Sequence, residues 1–204
     1  MNDKNPVILA ITAASGVIYG VRALDFLLSN NYKVELIISS KAYYIFEQEL
    51  GIELSHDKDI IKAQLLDFID IYEENAELKV WLDDEIWASP ASGSYRTSGM
   101  IVCPASMAGV SSIAHGTSEN LISRIADVMI KEGNKIILVP RETPFSSIHL
   151  ENMLSLSKLG VKIVPPIMAF YGKIETLEDG IDFVVGKILD AAAISNNLYE
   201  RWQR

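Results

Sequence analysis

Arg141 and Glu142 stand side by side where an apolar run, Ile136 to Val139, ends in Pro140. A guanidinium can hold a phosphate or a carbonyl oxygen, and a carboxylate beside it can carry a proton. In a solvated turn such a pair has no chemistry to do; at the end of a buried strand it can line a site. "TAASG", residues 12–16, also follows an apolar run and opens a helical pattern. Its small side chains let backbone approach a ligand, and free N–H groups at a helix start suit an anion. The plain alternative is an ordinary turn with Ser15 as N-cap. "CPASMAGVSS", residues 103–112, repeats the arrangement, with Ser106 as either a ligand hydroxyl or a cap. The chain contains no GxxxxGK[ST] and no GxGxxG at its first turn, which weakens P-loop and dinucleotide readings.

The elements that must position these segments alternate. Strands are expected at Val7–Thr12, Lys33–Ser39, Met100–Cys103, Lys135–Val139 and Val161–Val164. Helical spacing of apolar residues follows each of the first four: Val17, Val21, Leu24 and Leu28; then Tyr43–Leu50; then Ala105–Ala114 and Asn120–Lys131; then a helix to about Leu159. Ile60, Ile61, Leu65, Leu66 and Ile69 suggest a further helix in the less regular stretch 51–80. Leu177, Ile181, Val184, Val185, Ile188, Leu189 and Ala192 form one face of a last helix. Strands alternating with helices imply an α/β, three-layer Rossmann-like or flavodoxin-like domain with a mainly parallel sheet. Ligands of such sheets gather beyond the carboxyl ends of the strands. Residues 13–16, Ser39-Ser40, residues 104–109 and Arg141-Glu142 all fall there. Residues 81–99, "WLDDEIWASPASGSYRTSG", read as a long loop able to present Trp87, Tyr95 and Arg96. One domain over 1–204 is expected, with a tail from about residue 195 that is either loose or packed on a neighbouring subunit.

Composition narrows the classes. A net charge of −9 argues against a general nucleic-acid binder, though not against a small anion held by local cations. The single cysteine, Cys103, rules out an internal disulfide and a Cys-rich zinc site, and its place in a strand favours packing over nucleophilic work. His56, His115 and His149 make no metal-ligand spacing, and His115 before Gly116 reads as a helix end. The apolar run near the N-terminus is far too short to span a bilayer, so a cytoplasmic protein is the simplest expectation. The 49% hydrophobic content hints at subunit contacts. Arg124 and Lys131, seven apart, share nearly one helix face, where Asp127 and Glu132 also offer them a purely salt-bridged role.

Taken together, "TAASGVIYGVRALDFL", "PASGSYRTSGM", "CPASMAGVSSIAHG", "NLISRIADVMIKE", "LVPRETPFSSIHLENMLSLSKLGVKIVPP" and "AFYGKIETLEDGIDFVVGKILD" resemble the UbiX-type flavin prenyltransferases, within the superfamily of flavin-containing cysteine decarboxylases. The similarity runs from residue 7 to about 194. It implies that reduced FMN is alkylated at N5 by dimethylallyl phosphate, and that a second carbon–carbon bond closes a fourth ring. The prenylated FMN would serve a UbiD-type decarboxylase. The resemblance implies no metal, and large homo-oligomers, often dodecamers, with sites at subunit junctions.

Carried over residue by residue, it implies FMN contacts from Ala13, Ala14, Ser15, Ser39, Ser106, Met107, Ala108, Gly109, Arg124 and Arg141. Lys131, Tyr171 and Lys187 resemble the phosphate-binding set, and Trp87 an aromatic face for cationic prenyl character. Glu142 resembles the acid/base residue, and Glu49 a second carboxylate. Two departures stand out: Ala13 replaces a glycine, and Lys187 replaces an arginine, keeping charge but losing bidentate geometry. The rival expectations are an FMN-dependent cysteinyl-peptide or phosphopantothenoylcysteine decarboxylase, and a flavin carrier without chemistry. The decarboxylases typically carry an Asn-containing loop where this chain reads Pro104 to Gly109.

Overall fold

The computed structural model describes residues 5–170 and 174–202. Six strands form one parallel sheet: β1 (Val7–Ile11), β2 (Val34–Ile38), β3 (Leu78–Leu82), β4 (Gly99–Ala105), β5 (Ile136–Pro140) and β6 (Lys162–Ile163). Their order is β3-β2-β1-β4-β5-β6. Among the described residues seven α-helices accompany them: α1 (Val17–Ser29), α2 (Tyr43–Leu50), α3 (Lys58–Phe68), α4 (Met107–Ala114), α5 (Leu121–Lys131), α6 (Ser147–Lys158) and α7 (Leu177–Ala192).

β1 is buried at every position because it pairs on both sides and is covered on both faces. Its alternation separates two cores. Val7, Leu9 and Ile11 join α1 and α7 in one, while Ile8 and Ala10 join α4, α5 and α6 in the other. Gly20 of α1 lies so close to the sheet that a Cβ would overlap the carbonyl oxygen of Cys103. Arg22 reaches from α1 to Asp182 of α7, its Nε donating at 2.6 Å.

β3 starts inside the stretch read as irregular and takes the first residues of the expected loop 81–99. It is an edge strand whose buried Leu78 and Val80 flank an exposed Lys79, so it has no apolar run to announce it. β4 continues past Cys103 to Ala105. Pro104 sits within a central strand because the β4–β5 register shifts between Val102 and Ala105, an irregularity that spares it a ladder hydrogen bond. β6 is shorter than its expected span. The tail folds back on its own chain: Leu198 and Tyr199 pack against the core that includes α7. Among the described residues no helix is long and apolar enough to cross a membrane.

Candidate active site

The strand order reverses between β1 and β4, and a crevice opens there beyond their carboxyl ends. Thr12 laces it. Its hydroxyl donates to the Pro104 carbonyl at 2.9 Å and accepts from the Ser106 N–H at 2.7 Å, while its own N–H donates to the same Pro104 carbonyl at 3.1 Å. A cleft of about 130 Å³ lies above this lacing. Ala13, Ser39, Ser106, Ala108 and Gly109 line it, as the sequence led us to expect, together with Lys41, Ser112, Glu119, Asn120 and Ser123. Thr12, which opens the TAASG motif, lines the cleft as well, a role its place at the end of a buried strand does not announce. Asn120 and Ser123 carry a readable signal, since they form the reciprocal capping box that starts α5.

Ser106 is the N-cap of α4, its hydroxyl accepting from the Gly109 N–H at 3.2 Å. The helix therefore begins at Met107 rather than Ala105. A Cβ at Gly109 would press on the Ser106 Oγ at 3.3 Å and meet the Thr12 methyl at an ordinary contact distance of 3.7 Å, so this turn of α4 lies close to the lacing. Met107 is buried beneath the cleft and Ala14 beneath the first loop. Ser15 is exposed and does not cap α1. The N-cap is Gly16, at φ 93°, and the carboxylate of Glu49 from α2 accepts the N–H groups of Gly16 and Val17 instead. Glu49, expected as a second carboxylate of the site, here caps a helix whose own N-cap has no side chain.

Arg141 follows β5 and donates its backbone N–H to Ala105 at 3.1 Å, which brings it to the end of β4. Its Nε is buried and has no hydrogen-bond partner among the described residues. A buried guanidinium nitrogen needs an acceptor, and an anion or carbonyl of a ligand meets that need. Glu142 is exposed beside it and accepts from the Thr143 N–H at 2.9 Å. Trp87 is 76% exposed on the connection between β3 and β4. That connection is tied down at both ends. The Asp83 carboxylate accepts from Ser40 beyond β2, while Tyr95 and Trp81 both donate to the buried Glu35 of β2. Burial, and then its bond to Glu35, pushes the Tyr95 hydroxyl well above the ordinary phenol range. Burial likewise pushes the Cys103 thiol far up, so it is a packing residue, as its strand position suggested.

Two of the three expected phosphate ligands, Lys131 and Lys187, do not reach this cleft within one chain. Every strand runs the same way, so each helix ends at the edge where the next strand begins. Lys131 ends α5 just before β5 and pairs with Glu132 at 2.9 Å. Lys187 is about one turn from the end of α7, where Lys135 and Lys162 bind the carbonyls of Ala192 and Ala191. Both lie toward the starting edge of the sheet, roughly 15 Å from the strand ends that hold the cleft. Tyr171 lies outside the described residues. Arg124, in contrast, is in the first turn of α5 beside Asn120 and Ser123, and among the described residues it makes no ion pair. Its salt-bridged alternative is therefore not realised.

A parallel sheet that switches direction over a cleft of small side chains and hydroxyls, with an arginine of buried, unpartnered Nε at a neighbouring strand end, defines a nucleotide- or flavin-binding α/β protein. A model of the family described as Flavoprotein matches residues 1–189. The flavin prenyltransferase UbiX of Alkalihalophilus pseudofirmus is 43% identical over 195 residues, covering 95% of this chain and 94% of that protein. Among solved structures, AnUbiX in complex with FMN and dimethylallyl pyrophosphate superposes with a TM-score of 0.86 at 35% identity, covering 99% of both chains. A dodecameric FMN-dependent UbiX-like decarboxylase from Escherichia coli O157:H7 gives 0.83 at 37%, covering 98% of this chain and all of that one. The chain belongs to the UbiX flavin prenyltransferase family.

Proposed function

We propose that this chain prenylates reduced FMN with dimethylallyl phosphate, and that it does so as a homo-oligomer, a dodecamer, in the cytoplasm. The observation that carries the flavin assignment is the buried, unpartnered Nε of Arg141, a residue held to the end of β4 by its N–H to Ala105. The residues fit the group: Ser106, Gly109 and the start of α4 offer donors and room for a phosphate or ring oxygen, Ser39 and Ala13 line the same cleft, and Lys41 adds a positive charge, with Arg124 next to the lining Ser123 in sequence. Bound there, reduced FMN supplies the nucleophilic nitrogen.

The chain's own residues then have separable tasks. Arg141 orients the acceptor. Glu142, exposed next to it, takes or returns a proton between flavin and phosphate, with Glu49 as the second carboxylate. Trp87 offers an aromatic face to developing allylic cation. Lys131, Lys187 and Tyr171 neutralise the leaving phosphate. Because Lys131 and Lys187 stand near the opposite edge of their own sheet, they act in the cleft of a neighbouring copy, and the site is complete only at a subunit junction. Ile148, Leu150 and Leu154, exposed on α6, supply apolar surface for such contacts. The loop from Pro104 to Gly109 lacks the asparagine of the cysteine decarboxylases, which disfavours that chemistry. The product would pass to a UbiD-type decarboxylase.

The test is anaerobic incubation with FMN, dithionite and dimethylallyl phosphate, followed by mass spectrometry of the extracted flavin. A gain of one isoprene unit that depends on the protein is expected. FMN recovered unchanged, with the diphosphate donor also tried, would refute the reading and leave a flavin carrier.

A further inference from the structure

We infer that the C-terminal tail belongs to the donor-phosphate machinery, with Tyr199 as a positioning residue that holds the ammonium of Lys187 over its ring. The inference rests on the assignment of Lys187 to the leaving phosphate proposed above.

After α7 the backbone turns at Ala193, φ 62°, and comes back along the helix. Asn196 fastens the return by donating to the Gly186 carbonyl at 3.1 Å and to Asp190 at 2.9 Å. The Tyr199 ring then lies directly on Gly186, where any Cβ would overlap it. Its hydroxyl donates to Asp190 at 2.6 Å, and Phe183 meets it edge-on with centroids 5.0 Å apart. Gly186, Asp190 and Phe183 are all on the helical surface around Lys187, so the ring is fixed relative to that side chain. The Lys187 Nζ stands 5.8 Å from its centroid.

Charge placement fits the same role. Arg201 also approaches the Tyr199 ring, at 5.3 Å, but both of its terminal nitrogens are bonded to Asp190, at 3.1 and 2.9 Å. Burial alone would raise the Asp190 carboxyl, yet the Arg201 guanidinium, the Tyr199 hydroxyl and Asn196 together hold it below the usual aspartate range. Asp190 is thus ionised and engaged with Arg201. Among the described residues Lys187 makes no ion pair, and the ring restricts its four-carbon stem. An ammonium on a flexible stem gains more from such restriction than a planar guanidinium would.

The full chain, loaded with FMN, is assayed as Lys187→Ala, Tyr199→Leu, the double variant and Tyr199→Phe, reading KM for dimethylallyl phosphate, kcat, FMN affinity and melting temperature. Tyr199→Leu is expected to raise KM about two- to fivefold, the size of an exposed cation–π contact, with FMN affinity unchanged. Tyr199→Phe keeps the ring and rescues KM. In the Lys187→Ala background, Tyr199→Leu adds nothing. Should Tyr199→Leu fail to fold, Tyr199→Met, which keeps bulk against Gly186 but has no aromatic face, is expected to give the same Lys187-dependent rise. A rise of equal size with and without Lys187, or a lower melting temperature with KM unchanged, would overturn the inference and leave the tail a structural clasp. If Lys187→Ala itself left KM unchanged, the phosphate assignment would fall first and the inference with it.

Discussion

The carboxylate of Glu49 accepts the backbone N–H of Gly16 at 2.8 Å and so closes the start of α1 from a different helix. Two more contacts, to the same N–H at 3.1 Å and to Val17 at 3.1 Å, complete the cap. The residue thus fixes the first cleft loop whether or not it also moves a proton. Glu49→Ala is expected to lower stability by about 0.5–2 kcal/mol, the usual worth of a cap, read as a shift in urea midpoint. Glu49→Gln, which keeps an acceptor but loses the charge that favours a helix N-terminus, should fall between. Equal stability of wild type and Glu49→Ala would show that the cap is not energetically significant.

Arg141 presents a buried donor with no acceptor among the described residues, so a ligand that satisfies it gains a charge-assisted hydrogen bond. Such bonds contribute about 1.5–3 kcal/mol. Arg141→Ala should therefore weaken FMN binding roughly 10- to 150-fold, measured by quenching of flavin fluorescence. Arg141→Lys, which keeps charge but not the Nε position, is expected to recover only part of that loss.

Gly20 is close enough to β4 that even one methyl cannot fit without moving helix from sheet. Gly20→Ala should destabilise the fold by about 1–3 kcal/mol, as overpacking does, although alanine favours helix in isolation. Thermal melting of the variant at equal flavin occupancy decides this.

The Tyr95 hydroxyl, buried and bonded to Glu35, has its pKa raised in the folded chain. A group whose folded pKa exceeds its unfolded value, near 10, binds the proton more tightly when folded. Its stabilising contribution is full below about pH 10 and is lost as pH rises above that. Stability is accordingly expected to fall on the alkaline side of pH 10, and Tyr95→Phe to flatten the slope there. Identical slopes in both proteins would show that the bond to Glu35 does not control the loop's attachment.

If Lys131 serves a neighbour's cleft, two inactive chains can repair each other. Lys131→Ala and Arg141→Ala, dissociated together and reassembled, should regain a measurable fraction of wild-type turnover, because some junctions receive both intact residues. Reassembled mixtures with no more activity than either parent would place all the chemistry within one chain.

Much of this protein was legible in its sequence. Buried parallel strands such as Val7–Ile11 are continuous apolar runs, and helices such as α7 carry a single apolar face, so both announce themselves by local pattern. The same pattern put Ala13, Ser39, Ser106, Gly109 and Arg141 at strand ends, and the topology of such sheets brings strand ends together. Other features required the tertiary structure. β3 is a half-exposed edge strand with no apolar run of its own. Thr12 acts through a carbonyl ninety-two residues away, Glu49 through N–H groups more than thirty residues back, and Tyr199 through a glycine on a helix it folds against. Lys131 and Lys187 carry suitable charges, yet only the common direction of the strands shows that they point away from their own cleft. Local periodicity records which face of an element is buried; it does not record which distant backbone group a polar side chain will meet, because that is decided by how the layers pack.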